Sequence, residues 1–127
     1  MMRIEITDRA DAQVQATAEY IKEEFGRRAE QKFKAKFREV IRLLADNPYL
    51  GPIEPLLADL PQTYRSVVVA KVNKIVYRIV DDRIEIADLW DCRREPKKQR
   101  EQTIARDEFA ESRGRSTEGQ PEVLLTR

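Results

Sequence analysis

The stretch Tyr64–Pro96, YRSVVVAKVNKIVYRIVDDRIEIADLWDCRREP, constrains this chain more than any other. It holds three short runs rich in Val, Ile and Tyr, side chains that suit a half-buried pleated surface. Strand side chains alternate between two faces. In KIVYRIV, Ile75, Tyr77 and Ile79 therefore share one face, and Val76, Arg78 and Val80 the other. Asp81-Asp82 makes a tight turn into RIEIADLW. The result is a β-meander whose last strand ends in Trp90, Asp91, Cys92, Arg93 and Arg94. A meander of this kind is expected to deliver that end to one edge of the sheet.

Ahead of the meander, Arg3 to Ile6 reads as a first strand with Ile4 and Ile6 on one face. Thr7 or Asp8 is a good helix N-cap, since its side-chain oxygen can accept from the first free amides. A helix is expected to about Phe25, with Val14, Ala18, Ile21 and Phe25 as its apolar stripe. Gly26 suits the residue just past the helix end. A second helix runs from about Arg27 to Ala45, with Ala29, Phe33, Phe37, Val40, Ile41 and Leu44 on its apolar face. Asn47-Pro48 stops it, because the residue before a proline is disfavoured in helical conformation. So short a connection makes the two helices an antiparallel hairpin.

Residues 47–63 carry four of the six prolines and read as an ordered surface loop with a short turn at Leu56–Leu60. Residues 97–111 can form a terminal helix, and 112–127 read as a disordered tail. The fold class is therefore α+β, ordered β-α-α-β-β-β. A helical hairpin packs on a small antiparallel sheet, and residues 1–96 form the domain.

Composition narrows the function. At 127 residues the chain supports one modest core. No stretch approaches the roughly 18 apolar residues of a membrane span, and MMRIEITDRAD lacks the apolar core of a secretory leader. The lone cysteine, Cys92, gives neither an internal disulfide nor a metal spacing. A cytoplasmic protein with no metal, no cofactor and no membrane partner is expected. Charged residues make up 37% of the chain but nearly cancel, at net +1, whereas a dedicated phosphate-gripping protein is usually more basic. Histidine is absent, which removes the side chain best suited to acid–base work near neutral pH.

These residues resemble the RelE/ParE superfamily, the toxin halves of bacterial type II toxin–antitoxin pairs. The resemblance covers about Met2 to Pro96. It lies in the helix ending L-L-x-x-N-P with Gly51 just beyond, in Arg65 opening the second strand, in V-Y-R-I-V followed by I-E-I, and in the arginine-bearing close Trp90 to Pro96. It implies a cognate antitoxin partner and one of two outcomes. RelE-like members are ribosome-dependent mRNA endonucleases, whereas ParE-like members inhibit DNA gyrase without cutting RNA. Many members end the last strand with a histidine and an arginine; here Asp91 stands in place of that histidine.

That departure bears on mechanism. Cleavage through the RNA 2′-hydroxyl needs a base, charge stabilisation at phosphate and an acid for the leaving oxygen. Were this chain a nuclease, Arg65, Asp91 and Arg93 would be its catalytic residues. An ordinary Asp ionises near 3.9, about three units too low for a base at neutral pH, and Arg93 and Arg94 beside it would lower it further. The competing reading of Asp91 is an ion-pair partner that fixes the chain end, and this reading is favoured. Arg65 is either an exposed strand-start charge or, with the arginines after the last strand as neighbours, part of one functional patch. Cys92 reads as an inert half-buried residue, and Trp90 as packing under the terminal segment.

Two basic clusters stand out from the balanced whole: Arg27, Arg28, Lys32, Lys34, Lys36, Arg38 and Arg42 on the second helix, and Arg93, Arg94, Lys97, Lys98 and Arg100 after the last strand. Each is either a solvated face or a contact surface. The residues expected to bind the target or antitoxin are Lys32, Lys36, Arg38, Arg65, Arg78, Arg93 and Arg94. The expected function is a growth-arresting toxin acting ParE-like on DNA gyrase. The alternatives are a ribosome-dependent mRNA endonuclease and a remnant that only binds its antitoxin.

Overall fold

The structure, a computed structural model, describes residues 1–94 and 96–112. Its elements are β1 (Arg3–Ile6), α1 (Asp8–Phe25), α2 (Arg27–Asp46), a 3-10 turn at Pro55–Leu57, β2 (Arg65–Ala70), β3 (Asn73–Val80), β4 (Arg83–Asp91) and α3 (Pro96–Ser112). The expected tail lies, from residue 113 onward, outside the described residues.

Helix boundaries follow local chemistry. Thr7 caps α1: its Oγ1 accepts from the Ala10 amide at 3.1 Å and donates to the Ile86 carbonyl at 2.9 Å. One hydroxyl thus supplies a free helix-end amide with a partner and ties α1 to β4. Gly26 separates the helices at φ 96°, a backbone conformation that L side chains rarely adopt. The two helices pack along each other as the expected hairpin and lay Val14, Ala18, Phe33, Phe37, Ile41 and Leu44 on the sheet. Phe25 is the exception. It ends α1 beyond the sheet's reach and stays 69% exposed, outside the stripe expected to include it.

The sheet order is β1-β4-β3-β2. The meander β2–β3–β4 is antiparallel, as expected. The first strand joins it in parallel, Arg3 opposite Arg83 and Ile6 opposite Ile86, which makes the sheet mixed. Parallel neighbours need a long crossover, and the helical hairpin between β1 and the meander provides one. This corrects the position of the last strand. β4 lies inside the sheet, between β1 and β3, and Ile84 through Trp90 are all buried. The segment after Asp91 therefore leaves from one end of a central strand, not from a sheet edge.

One register detail aims that end. Val76 lies opposite Asp88 and Tyr77 opposite Ile86, so Ala87 is an extra residue on β4. Such a bulge reverses the alternation of the strand. Ile84 and Ile86 face the hairpin before it, and Leu89 faces the hairpin after it. Trp90 faces the opposite side.

That opposite side is also covered. The 47–63 segment was expected to be a surface loop, but it buries Gly51, Glu54 and Leu57. The segment and α3 close over a second apolar cluster of Leu57, Tyr64, Val76, Ala87 and Trp90. Its backbone explains the fit. The Ser66 amide donates to the Pro52 carbonyl at 3.0 Å and the Glu54 amide to the Tyr64 carbonyl at 2.8 Å, so the segment pairs with the start of β2.

Candidate functional site

Three polar constellations surround this frame. The first is the end of β4. Asp91 accepts from the Arg93 amide at 2.9 Å, and its two carboxylate oxygens take Arg93 Nε at 3.1 Å and Nη2 at 2.9 Å. The Arg93 hydrogen bonds hold the Asp91 carboxyl below the usual carboxylate range. The local sequence D-C-R makes this geometry, because an Asp side chain readily accepts from the amide two residues on and closes a turn. Asp91 is thereby the ion-pair partner that fixes the chain end. As a base it is poorly placed, since both oxygens are engaged and its proton affinity is reduced. Cys92 is exposed rather than half-buried, because the turn carries it outward.

Arg65 does not join this end. It lies opposite Tyr77, which lies opposite Ile86, while Asp91 is five residues further along β4. At about 3.3 Å per residue the separation is roughly 17 Å along the sheet. The expected single patch of Arg65 with Arg93 and Arg94 is therefore not formed, because antiparallel pairing sets the start of β2 against the middle of β4. Arg65 instead donates to the Gly51 carbonyl at 2.9 Å and stacks over Tyr49, its guanidinium 4.8 Å from the ring centre. Arg78 is also drawn into structure: its Nε donates to Glu85 at 2.8 Å, and its guanidinium lies 5.8 Å from the Tyr64 ring centre.

The second constellation went unforeseen. Glu54 is 1% exposed and ionised among built-in partners. Its Oε1 lies 2.6 Å from Lys74 Nζ and accepts from Ser66 Oγ at 2.7 Å, and its Oε2 accepts from the Leu56 amide at 3.0 Å. Burial opposes its ionisation, but the Lys74, Leu56 and Ser66 contacts together outweigh it and hold the carboxyl below its usual range. Lys74 Nζ also lies 5.4 Å from the Trp90 ring centre. The one sequence signal was an acid inside a proline-rich segment, I-E-P-L-L. Neither strand periodicity nor charge runs distinguish it from a solvated turn acid.

The third ties α1, β4 and α3 together. Asp88 is fully buried and accepts from Arg9 Nε at 2.9 Å and from the Leu89 amide at 2.8 Å. Burial raises its pKa despite these donors. Arg9 also donates to Gln102 at 2.6 Å, and the Trp90 indole donates to Thr103 Oγ1 at 3.3 Å. Trp90 thus packs under α3, and α3 is docked by polar contacts as well as by the apolar cluster.

Two grooves open on the hairpin side. One, about 710 Å³, lies between α2 and the end of β2, with Phe33 and Val69 at its floor and Lys32, Lys36 and Lys71 around it. Lys36 there pairs with Glu39 at 3.4 Å, and Lys34 further along with Glu30 at 3.5 Å, so part of the basic helix face compensates itself. The other groove, about 590 Å³, lies between α1 and the end of β4 and is bordered by Arg93 and Arg94. Among the described residues no cluster of Cys, Asp or Glu could hold a metal ion, and no helix is long and apolar enough to cross a membrane.

A helical hairpin laid on a β1-β4-β3-β2 sheet is the fold of the RelE/ParE superfamily. The chain belongs to the ParE toxin family: the family model described as "ParE toxin of type II toxin-antitoxin system, parDE" matches residues 4–96. Among solved structures, the chromosomal ParDE TA system from P. aeruginosa shares the fold at a TM-score of 0.60 and 18% identity, covering 72% of this chain and 96% of that one. The YoeB dimer from Staphylococcus aureus aligns at a TM-score of 0.47 and 22% identity, covering 68% and 92%. No curated protein matches the chain.

Proposed function

We propose that this toxin arrests growth by inhibiting DNA gyrase without cutting RNA, and that a cognate antitoxin restrains it. The observation that carries the reading is the state of Asp91. The residue standing where many relatives have histidine is locked by Arg93 on both oxygens and held ionised. A nuclease would need a group there that exchanges protons near neutral pH. The absence of histidine from the whole sequence and the distance of Arg65 from the β4 end support the same reading. Induced without its antitoxin, the chain should arrest growth with DNA damage, and the purified protein should inhibit gyrase supercoiling. Cleavage of mRNA inside translated codons with no DNA damage would establish the ribosome-dependent nuclease instead. Absence of any arrest would leave a protein that only binds its antitoxin.

The antitoxin is assigned to the α2–β2 groove and the adjoining sheet edge. An apolar floor at Phe33 and Val69 offers area to bury, and the lysines around it offer charge complementarity to an acidic segment. The start of β2 is already paired with the 52–53 segment, through an Ile53–Arg65 bridge and the Ser66–Pro52 hydrogen bond. Further along, Val68 is 64% exposed, so the open stretch for strand addition is the second half of β2. Reversing charge together at Lys32, Lys36 and Arg38 should slow association at low salt and flatten its salt dependence, with a smaller effect on dissociation. Stopped-flow kinetics against the antitoxin measure this. An unchanged association rate across the salt series would place the antitoxin elsewhere.

A further inference from the structure

We propose that the groove between α1 and the end of β4 binds a nucleotide, with the phosphate held by Lys71 and Arg94 beside Arg93 and the base set against Tyr20. The assignment stands whichever target the toxin has, because it rests on this groove alone.

The volume, about 590 Å³, is that of a small-molecule site. Among the described residues the charge balance is one-sided: Arg9, Lys71, Arg93 and Arg94 border the groove against one acid, Asp91. Two of these cations are committed. Arg9 holds Asp88 and Gln102, and Arg93 holds Asp91. Lys71 and Arg94 are exposed, and among the described residues neither side chain makes a hydrogen bond or close ion pair, although Arg94 is near enough to Asp91 to help hold its carboxyl ionised. An excess of unpaired cations around a concave surface is what a phosphate neutralises.

The cations are also held in position. The turn that carries Arg93 and Arg94 is pinned to the β2–β3 turn that carries Lys71, because the Cys92 amide donates to the Val72 carbonyl at 2.6 Å. The Asp91 carbonyl accepts from the Arg94 amide at 2.9 Å and from Gln99 Nε2 at 2.8 Å. Two neighbouring turns therefore present their cations from fixed backbone, so little ordering remains to be done on binding.

The rest of the lining suits a planar polar ring. Tyr20 is 47% exposed and Phe25 69% exposed, two aromatic faces that α1 leaves outside the core. The Tyr20 hydroxyl lies within reach of the Arg93 guanidinium, after Asp91 its second favourable neighbour. Gln13 and Gln102 bring neutral amides, each both donor and acceptor, to the same groove. Exposed aromatic rings, neutral amides and unpaired cations in one concavity match a molecule that is flat and polar at one end and anionic at the other. An acidic peptide would satisfy the cations alone.

The test is calorimetric titration of the full chain with thymidine, thymidine 5′-monophosphate and an octamer of deoxythymidylate, at low and physiological salt. The monophosphate should bind about tenfold or more tightly than thymidine and lose affinity as salt rises. Lys71→Ala with Arg94→Ala should remove that difference. Tyr20→Ala should weaken all three ligands by about tenfold. These positions are exposed, and unchanged thermal unfolding confirms that the variants fold. An octamer that binds about tenfold or more tightly than the monophosphate identifies a nucleic-acid strand as the source; equal affinity identifies a free nucleotide. Thymidine binding as well as its monophosphate, no binding of the monophosphate, or affinity unchanged in the double variant would overturn the assignment. So would an octaglutamate peptide that displaces the monophosphate and binds more tightly, which would make the groove a peptide site.

Discussion

A Trp90→Ala variant is expected to lose about 3–5 kcal/mol of stability and to release α3 from the sheet. Trp90 is 2% exposed and occupies the centre of the second apolar cluster, with Leu57, Tyr64, Val76 and Ala87 around it. The side chain is too large, and the strand beneath it too fixed, for neighbours to fill the void. The indole N–H is also one of α3's anchors, through Thr103. Removing it leaves that helix, among the described residues, with Gln99 on the Asp91 carbonyl, Gln102 on Arg9, Thr103 on Asp88, and Arg100 on the Leu56 carbonyl and in an exposed clasp with Asp59. Exposed ion pairs of that kind contribute little, about 0–1 kcal/mol. Urea denaturation followed by circular dichroism gives the loss, since the variant removes the chain's single tryptophan. Amide exchange in α3 should accelerate more than in α1 or α2. A loss under about 1 kcal/mol, with α3 protection unchanged, would mean that the cluster does not hold the helix.

The second large effect is expected at Gly51, where alanine should cost about 3 kcal/mol. A Cβ there would stand 2.4 Å from the Ser66 carbonyl oxygen, 2.9 Å from its carbon and 3.1 Å from Tyr77 Cε1. The first two are backbone of β2, so relief requires the 47–63 segment to move away from the strand. That movement strains several contacts together. The Gly51 amide donates to the Tyr77 hydroxyl at 2.9 Å, and that hydroxyl donates to the Pro48 carbonyl at 2.7 Å. Burial raises the Tyr77 pKa above that of an ordinary phenol, so it keeps the proton that the second bond uses. Arg65 holds the Gly51 carbonyl, and the Ser66 amide holds Pro52. Chemical denaturation of Gly51→Ala measures the cost. A midpoint close to that of the parent would show that the segment slides without losing these bonds.

Much of this architecture was legible because it depends on short-range chemistry. Strand alternation in KIVYRIV, the 3.6-residue spacing of Phe33, Phe37, Val40, Ile41 and Leu44, the Thr7 cap and the Gly26 break are written in neighbouring residues. So was the ion pairing of Asp91, because D-C-R closes on itself. What failed were particular inferences about which distant residues meet, although the packing of the hairpin on the sheet and of Trp90 under α3 held. Phe25 continues the α1 stripe by spacing, yet falls past the end of the sheet. Arg65 opens β2 and Arg93 follows β4, yet antiparallel pairing sets Arg65 roughly 17 Å along the sheet from Asp91, where β4 ends.

The sequence by itself determined the elements, their order, the helical hairpin and the residue types at the end of β4. Periodicity and capping act within one or two turns, and those signals survive without the rest of the chain. Only the tertiary structure decided which strand is central, because β1 pairs with β4 across the whole hairpin. It also decided the bulge at Ala87 that turns Trp90 to one face and Leu89 to the other. Likewise it buried Glu54, which needs Lys74 and Ser66 from two strands to remain charged out of water. These are pairwise choices between distant segments, set by shape and by the cost of leaving buried polar groups unmatched.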